Sequence, residues 1–231
     1  MQHKRTLAFI GAGNMSRSII AGLIQAGYPA GRIIAANPSR PKLDELADQF
    51  GIRITQNNAE AAREADVIVL AVKPQLMAAM LEALVAELGS LAGKLLISIA
   101  AGIKVERLQE MAGGHSRIIR TMPNTPSLLG LGMTGLYAPT GIEQADRDFA
   151  EQMMQAVGKT LWVAQESGIN GVIAAAGSAP AYFFLFMQGI AEEAEAMGFT
   201  PEQARLLVQQ TALGAAAMVE QNPELSLQAL R

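Results

Sequence analysis

Near its start the chain runs Thr6-Leu7-Ala8-Phe9-Ile10 into Gly11-Ala12-Gly13, then directly into Asn14-Met15-Ser16 and an amphipathic helical pattern. An apolar strand, a glycine turn and a helix in immediate succession open a dinucleotide-binding βαβ unit. Gly11 allows the tight turn, and Gly13 lets the backbone approach a pyrophosphate. The amide-rich helix start near Asn14 offers partial positive charge to that group. The third glycine of the fingerprint is Ser16, small enough to keep close helix-strand packing.

The second strand indicates which dinucleotide. A site for NAD usually places Asp or Glu about 20 residues past the glycines, where it binds the ribose 2′-hydroxyl. Residues 14–43 contain no Asp or Glu, and the expected strand at residues 32–36 ends in Asn37-Pro38-Ser39-Arg40. Neutral donors and a guanidinium suit a 2′-phosphate, which a carboxylate would repel. We therefore expect NADP(H), with NAD(H) bound less well. A plainer reading stays open, in which Ser39 caps the next helix and Arg40 is a solvated charge.

Apolar runs and amphipathic segments alternate through the first two thirds, which points to strands joined by crossover helices in a parallel sheet. Strands are expected at residues 5–10, 32–36, 67–72, 94–99, 117–121, 133–138 and 160–163, and helices at 15–26, 41–50, 76–88 and 144–157. Small or polar residues end several strands: Asn37, Ala71-Val72-Lys73-Pro74, Ile99-Ala100-Ala101-Gly102 and Met122-Pro123-Asn124-Thr125-Pro126. Ligands of open α/β sheets sit beyond the carboxyl ends of strands, so these ends should border one cleft.

Past about Gln165 only helical patterns remain. Residues 167–191 and 206–219 carry no charge. The first run is long enough to raise a membrane span, but Gly177-Ser178-Ala179-Pro180 should break it into two short helices, the second starting near Pro180. Apolar, alanine-rich helices exceed what a small domain buries by itself, so we expect self-association, at least a dimer, through the C-terminal helices. The expected fold class is α/β: an N-terminal doubly wound, mostly parallel Rossmann sheet (1–164) with an all-helical C-terminal substrate and dimerisation domain (165–231).

The 231 residues carry a net charge of -3 and no Lys/Arg run, which argues against nucleic acid as a partner. There is no cysteine, and the two histidines, His3 and His115, are far apart, so no metal site is expected. The basic start at residues 1–5 is followed by a glycine-interrupted run and reads as the first strand, not a signal peptide. A cytoplasmic protein without a membrane span is expected.

The helical part is equally informative in what it lacks. After Lys159 there is no lysine or histidine, and the arginines are Arg205 and Arg231. Hydroxyacid dehydrogenases with similar N-terminal folds commonly draw a proton carrier of that type from the second domain. We expect no catalytic acid or base among these side chains. Hydride addition to a protonated imine fits, because such a substrate is already electrophilic.

Taken together, the blocks Phe9-Ile10-Gly11-Ala12-Gly13-Asn14-Met15, Ala71-Val72-Lys73-Pro74, Met122-Pro123-Asn124-Thr125-Pro126, Gly177-Ser178-Ala179-Pro180-Ala181-Tyr182 and Gln210-Thr211-Ala212-Leu213-Gly214-Ala215-Ala216 resemble the pyrroline-5-carboxylate reductase family over the whole chain. The resemblance implies NADPH-dependent reduction of a cyclic imino acid, 1-pyrroline-5-carboxylate, to proline, with some members also using NADH. It implies that Ile10, Gly11, Ala12, Gly13, Asn14 and Met15 hold the pyrophosphate, and that Asn37, Ser39 and Arg40 lie near the 2′-phosphate. Asn58, Ala71, Val72, Lys73, Pro74, Ile99, Ala100 and Ala101 would line the rest of the dinucleotide, and Glu166 stands where the family often has a cofactor-contacting acid. On the substrate side it implies Met122, Pro123, Asn124, Ser178 and Ala179. Ser178 is equally an ordinary helix cap, and Ala179 replaces a usual glycine.

One departure lies at the end. Family members continue past a segment like residues 222–231 into a Thr/Ser-Pro-Gly-Gly-Thr-Thr-like loop that binds imine and carboxylate. This chain stops at Arg231, so a truncated form of a longer protein is expected. Two other readings stay open, a non-catalytic dinucleotide-binding dimer and a different NADP-dependent oxidoreductase.

Overall fold

A computed structural model describes residues 5–231; residues 1–4, with His3 and most of the basic start, lie outside the described residues. The elements in chain order are β1 (Leu7–Ile10), α1 (Asn14–Gln25), β2 (Ile33–Ala36), α2 (Arg40–Phe50), β3 (Arg53–Thr55), α3 (Asn58–Glu64), β4 (Val67–Leu70), α4 (Met77–Leu88), β5 (Leu95–Ser98), α5 (Val105–Met111), β6 (Ile118–Met122), β7 (Gly132–Tyr137), α6 (Gln144–Gln155), β8 (Gly158–Trp162), α7 (Gly168–Val172), α8 (Ala179–Ala196), α9 (Pro201–Gln221) and α10 (Leu227–Leu230). Every strand expected from apolar runs is present. β3, α3 and α5 were not anticipated, because elements of 3, 7 and 7 residues are too short to show a period.

The eight strands form one sheet in the order β3-β2-β1-β4-β5-β6-β7-β8. β1 to β6 are mutually parallel, β7 runs antiparallel to β6, and β8 is parallel to β7. Strands such as Leu7–Ile10 and Val67–Leu70 are apolar throughout because both faces are covered. Leu7, Phe9, Val67 and Val69 face Ile19, Leu23, Leu43, Phe149 and Met153 of α1, α2 and α6. Ala8, Ile10, Ile68 and Leu70 face Ala62, Met77, Leu81 and Leu108 of α3, α4 and α5. This two-sided wrapping is the doubly wound architecture expected from the alternating pattern.

Below the sheet, at the strand starts, lies a buried carboxylate that sequence reading missed. Asp146 in the first turn of α6 is fully buried and accepts from Arg5 Nη1 at 2.8 Å and Arg117 Nη2 at 2.8 Å. Burial alone would raise this carboxyl, but the Arg117 and Arg5 hydrogen bonds and charges outweigh it and hold it below the usual carboxylate range. Arg117 also donates to the Gly93 carbonyl at 2.8 Å, so the cluster ties the segments entering β1, β5 and β6 to α6.

Compactness divides the chain into one unit ending at Gly177 and another at Ser178–Arg231. A new helix does start at Ala179 with Pro180 in its first turn, as expected, but the break before it is only a bend at Ser178. Ile173–Gly177 is π-helical, and Ser178 keeps right-handed helical angles (φ -90, ψ -25) before α8. The result is a 29-residue helical run, Gly168–Ala196, long and apolar enough by length and composition to cross a membrane. The length argument against a span therefore fails. The reason is that Pro180 sits in the first turn of α8, where its missing N–H removes no required bond.

In the C-terminal unit α8 and α9 lie against each other. The second helix is started by a capping box: the Thr200 hydroxyl accepts from Gln203 N at 3.3 Å and Gln203 Oε1 accepts from Thr200 N at 2.9 Å. Tyr182, Leu185, Phe186, Ile190 and Met197 line a groove of about 630 Å³ along α8.

Candidate functional site

Because β1 to β6 are parallel, the loops that follow them open on one edge of the sheet. Strand order reverses between β1 and its neighbours β2 and β4, so the crevice of a switch point lies where residues 11–15 and 71–74 emerge. Four loops named from sequence, after β2, β4, β5 and β6, are brought to this edge. Asn58 joins them as the first residue of α3, half-buried behind the cap that Asn57 Oδ1 provides by accepting from Ala59 N at 2.8 Å.

The two glycines of the turn are required for different reasons. Gly11 adopts φ +111, and a Cβ there would stand 2.5 Å from the Ala71 carbonyl oxygen, so the fold itself demands glycine. Gly13 has an ordinary extended backbone (φ -84, ψ 179), and a Cβ would meet no protein atom within 4 Å. Neither conformation nor packing explains a glycine there, and the space beside it is open. Ser16 is buried and donates its hydroxyl to the Gly11 carbonyl at 2.6 Å, so it fills the third glycine position without an unsatisfied group. No side chain caps α1 and no acid stands in its first turn, which leaves its positive end to an anion.

Asn37 links this turn to the next loop. Its Oδ1 accepts from Ala12 N at 3.3 Å and its Nδ2 donates to the Ser39 carbonyl at 3.2 Å. Gln56, which sequence reading passed over, braces the same loop by donating to the Pro38 carbonyl at 2.8 Å. Ser39 occupies the N-cap position of α2 but makes no side-chain capping bond, so the plainer reading of it as a cap gains no support. Arg40 is exposed and donates from Nε to Asp44 Oδ1 at 2.7 Å. A planar guanidinium held at one nitrogen still presents its other N–H groups.

On the β4 side, Ala71 and Val72 are half-buried, and Lys73 and Pro74 are exposed at the start of a short helical turn. Ile99 N donates to the Leu70 carbonyl at 3.2 Å and Ala100 N to Ser98 Oγ at 3.3 Å, while Ala101 faces solvent. At the end of β6, Met122 is half-buried, and Pro123 and Asn124 are buried. Asn124 is committed to backbone: Nδ2 donates to the Ala176 carbonyl at 3.0 Å and Oδ1 accepts from Met133 N at 2.9 Å. Ser178 and Ala179 belong to the C-terminal unit, at the N-cap and first residue of α8, and Ser178 makes no capping bond.

Glu166, where resemblance implied a cofactor-contacting acid, has one carboxylate oxygen engaged within the protein. Its Oε1 accepts from Val105 N at 2.7 Å and from Arg120 Nη1 at 2.9 Å. Arg120, near the middle of β6, was missed. A lone arginine in Ile118-Ile119-Arg120 was the available signal, since a buried cation demands a partner. Among the described residues no group of three or more histidine or acidic side chains is placed to hold a metal.

Comparison with known proteins agrees with this architecture. Residues 6–102 match the family model described as NADP oxidoreductase, coenzyme F420-dependent, and residues 166–231 match that described as pyrroline-5-carboxylate reductase dimerisation. The chain is 57% identical over 231 residues to a pyrroline-5-carboxylate reductase of Vibrio alginolyticus, covering 100% of this chain and 84% of the relative. Among solved structures, a pyrroline-5-carboxylate reductase from Coxiella burnetii is similar at TM-score 0.90 and 41% identity, covering 98% of this chain and 82% of that one. A Plasmodium falciparum pyrroline carboxylate reductase with NADP bound is similar at TM-score 0.84 and 27% identity, covering 100% and 82%. Full-length identity at this level, on a doubly wound sheet joined to a region matching the dimerisation model, places the chain in the pyrroline-5-carboxylate reductase family.

Proposed function

We propose that the chain reduces 1-pyrroline-5-carboxylate to L-proline with NADPH, the final step of proline biosynthesis, with NADH a poorer donor. The dinucleotide part is carried by the cradle at Gly13, where a residue without a side chain faces open space beside an uncapped, acid-free helix start, and the imine substrate by the 57% identity to the Vibrio alginolyticus reductase. The cradle fits a pyrophosphate. In this proposal Ile10 to Met15 hold the pyrophosphate, Asn37, Ser39 and Arg40 serve the 2′-phosphate, and Asn58, Ala71 to Pro74 and Ile99 to Ala101 line the remainder. Substrate contact is assigned to Met122, Pro123 and Asn124, and separately to Ser178 and Ala179. Residues 1–164 form the dinucleotide domain, and residues 165–231 the substrate and dimerisation domain.

NADPH when bound supplies a hydride to the imine carbon. The chain's own residues bind, orient and exclude water, and no side-chain acid is required because the substrate's iminium already carries the charge. Self-association through α8 and α9 is part of the proposal, as is a cytoplasmic location.

The direct test follows NADPH oxidation and proline formation on addition of 1-pyrroline-5-carboxylate. NADPH binding without proline would leave a non-catalytic dinucleotide binder. For cofactor choice, Ser39→Asp with Arg40→Glu should raise the KM for NADPH by about ten-fold or more while leaving NADH nearly unchanged, as loss of a charge-assisted bond implies. Equal loss with both dinucleotides would defeat the assignment.

A further inference from the structure

Arg120 is 4% exposed in a strand flanked on both sides by other strands. Such a guanidinium is costly without a carboxylate, and Glu166 supplies one at 2.9 Å from beyond β8. The same oxygen accepts from the amide of Val105, the first residue of α5. Lys104, at the N-cap of that helix, makes no side-chain capping bond. Glu166 therefore does what a local cap would do, from 61 residues away in sequence.

The position of these two bonds is informative. Val105 follows the loop holding Ile99, Ala100 and Ala101, and Arg120 lies two residues before Met122. The β5 and β6 ends are also laced directly, with Thr121 Oγ1 donating to the Ser98 carbonyl at 3.0 Å. One carboxylate oxygen thus joins the helix behind one loop to the strand that launches the other.

We propose that Glu166 is a positioning residue: through the Val105 amide and the Arg120 guanidinium it sets the placement of the β5 and β6 loops against the dinucleotide and the imine. This rests on those loops bordering the dinucleotide, as proposed above. Displacement of a positioning loop by a fraction of an ångström lowers turnover more than it lowers stability.

The test separates the two bonds. Val105→Pro removes the amide donor at a first helical position where proline is tolerated and after a residue already extended (Lys104 φ -74, ψ 155); because the Val105 side chain is itself buried, Val105→Ala, which trims that side chain and keeps the amide, is measured beside it. Arg120→Met removes the other donor and replaces the buried cation with an apolar side chain, leaving the Glu166 carboxylate, 20% exposed, on the Val105 amide, and Glu166→Gln keeps an acceptor oxygen. Steady-state constants for NADPH and imine, NADPH affinity by fluorescence titration, and thermal unfolding are measured for each. Expected are a several-fold rise in KM for NADPH in Val105→Pro and a loss of about ten-fold or more in kcat/KM for the imine in Arg120→Met. Glu166→Ala should combine both losses, Glu166→Gln should recover most of the first, and every variant should remain folded at the assay temperature. The proposal is overturned if Val105→Pro and Arg120→Met lower the unfolding temperature with kinetic constants intact. It is equally overturned if Glu166→Ala weakens NADPH while the two donor variants bind it normally, the signature of direct contact. Gly13→Val in the same assays tests the dinucleotide site itself: unchanged NADPH binding there would remove the underlying assignment, whatever Glu166 does.

Discussion

Phe9 in β1 and Phe186 in α8 are the same residue in equally apolar segments, yet one is 0% and the other 71% exposed. The N-terminal unit places helices on both faces of its sheet, so each strand residue finds cover within the same chain. A pair of long helices has no such closure: Tyr182, Phe183, Phe184, Leu185 and Leu213 are all exposed on the single chain. Composition therefore does not tell a self-sufficient core from an interface. What tells them apart is whether the topology returns a second layer.

The sharpest way to break this contrast is to cut one aromatic from each region. Phe9→Ala should cost about 3–5 kcal/mol in urea unfolding, the transfer and cavity terms of a sealed site. Phe186→Ser should leave the unfolding free energy of the dilute single chain within about 1 kcal/mol and instead weaken self-association in sedimentation. Equal stability losses would mean that α8 is covered by its own chain.

Next in size is Asp146, whose partners also belong wholly to the N-terminal unit. Asp146→Asn should cost about 2–4 kcal/mol, since it strands two arginines at a buried acceptor. Its pH signature has a definite sign. The folded carboxyl titrates below the unfolded one, so the native state binds fewer protons. The stabilisation is complete above the ordinary carboxylate range and is lost as pH falls through the folded value. His115, held below its usual value mainly by burial, acts in the same direction: its contribution declines once pH drops under the ordinary histidine range. Acid titration of stability should therefore be flatter in Asp146→Asn than in the parent protein.

The smallest effect is expected at the exposed Arg40 and Asp44 pair, where Asp44→Ala should alter stability by less than about 0.5 kcal/mol. A larger loss would show that the loop after β2 is held more tightly than its exposure implies.

Several elements were readable because their signals are local. Apolar runs of four residues announced β1 and β4 and one of three announced β5, and the glycine spacing announced the turn after β1. Arg53–Thr55 was not readable, because three half-exposed residues carry no period. The helix start expected near Pro180 is present at Ala179, but the break before it is only a bend: proline at a helix start and proline at a wider chain break look alike in sequence, and only the dihedral angles of Ser178 separate them.

By itself, then, the sequence determined the strand-turn-helix opening, the alternation that builds a doubly wound sheet, the missing acid after β2, and the absence of a proton carrier in the helical part. These follow from residue type and short-range spacing, which any fold must obey. The tertiary structure alone decided that Glu166 meets Arg120, 46 residues earlier, that Asp146 meets Arg5 across 141 residues, and that the aromatic side chains of α8 stay exposed among the described residues. Such pairings depend on how distant strands and helices come into register. A local pattern records the period of one element, not the neighbour it will be given.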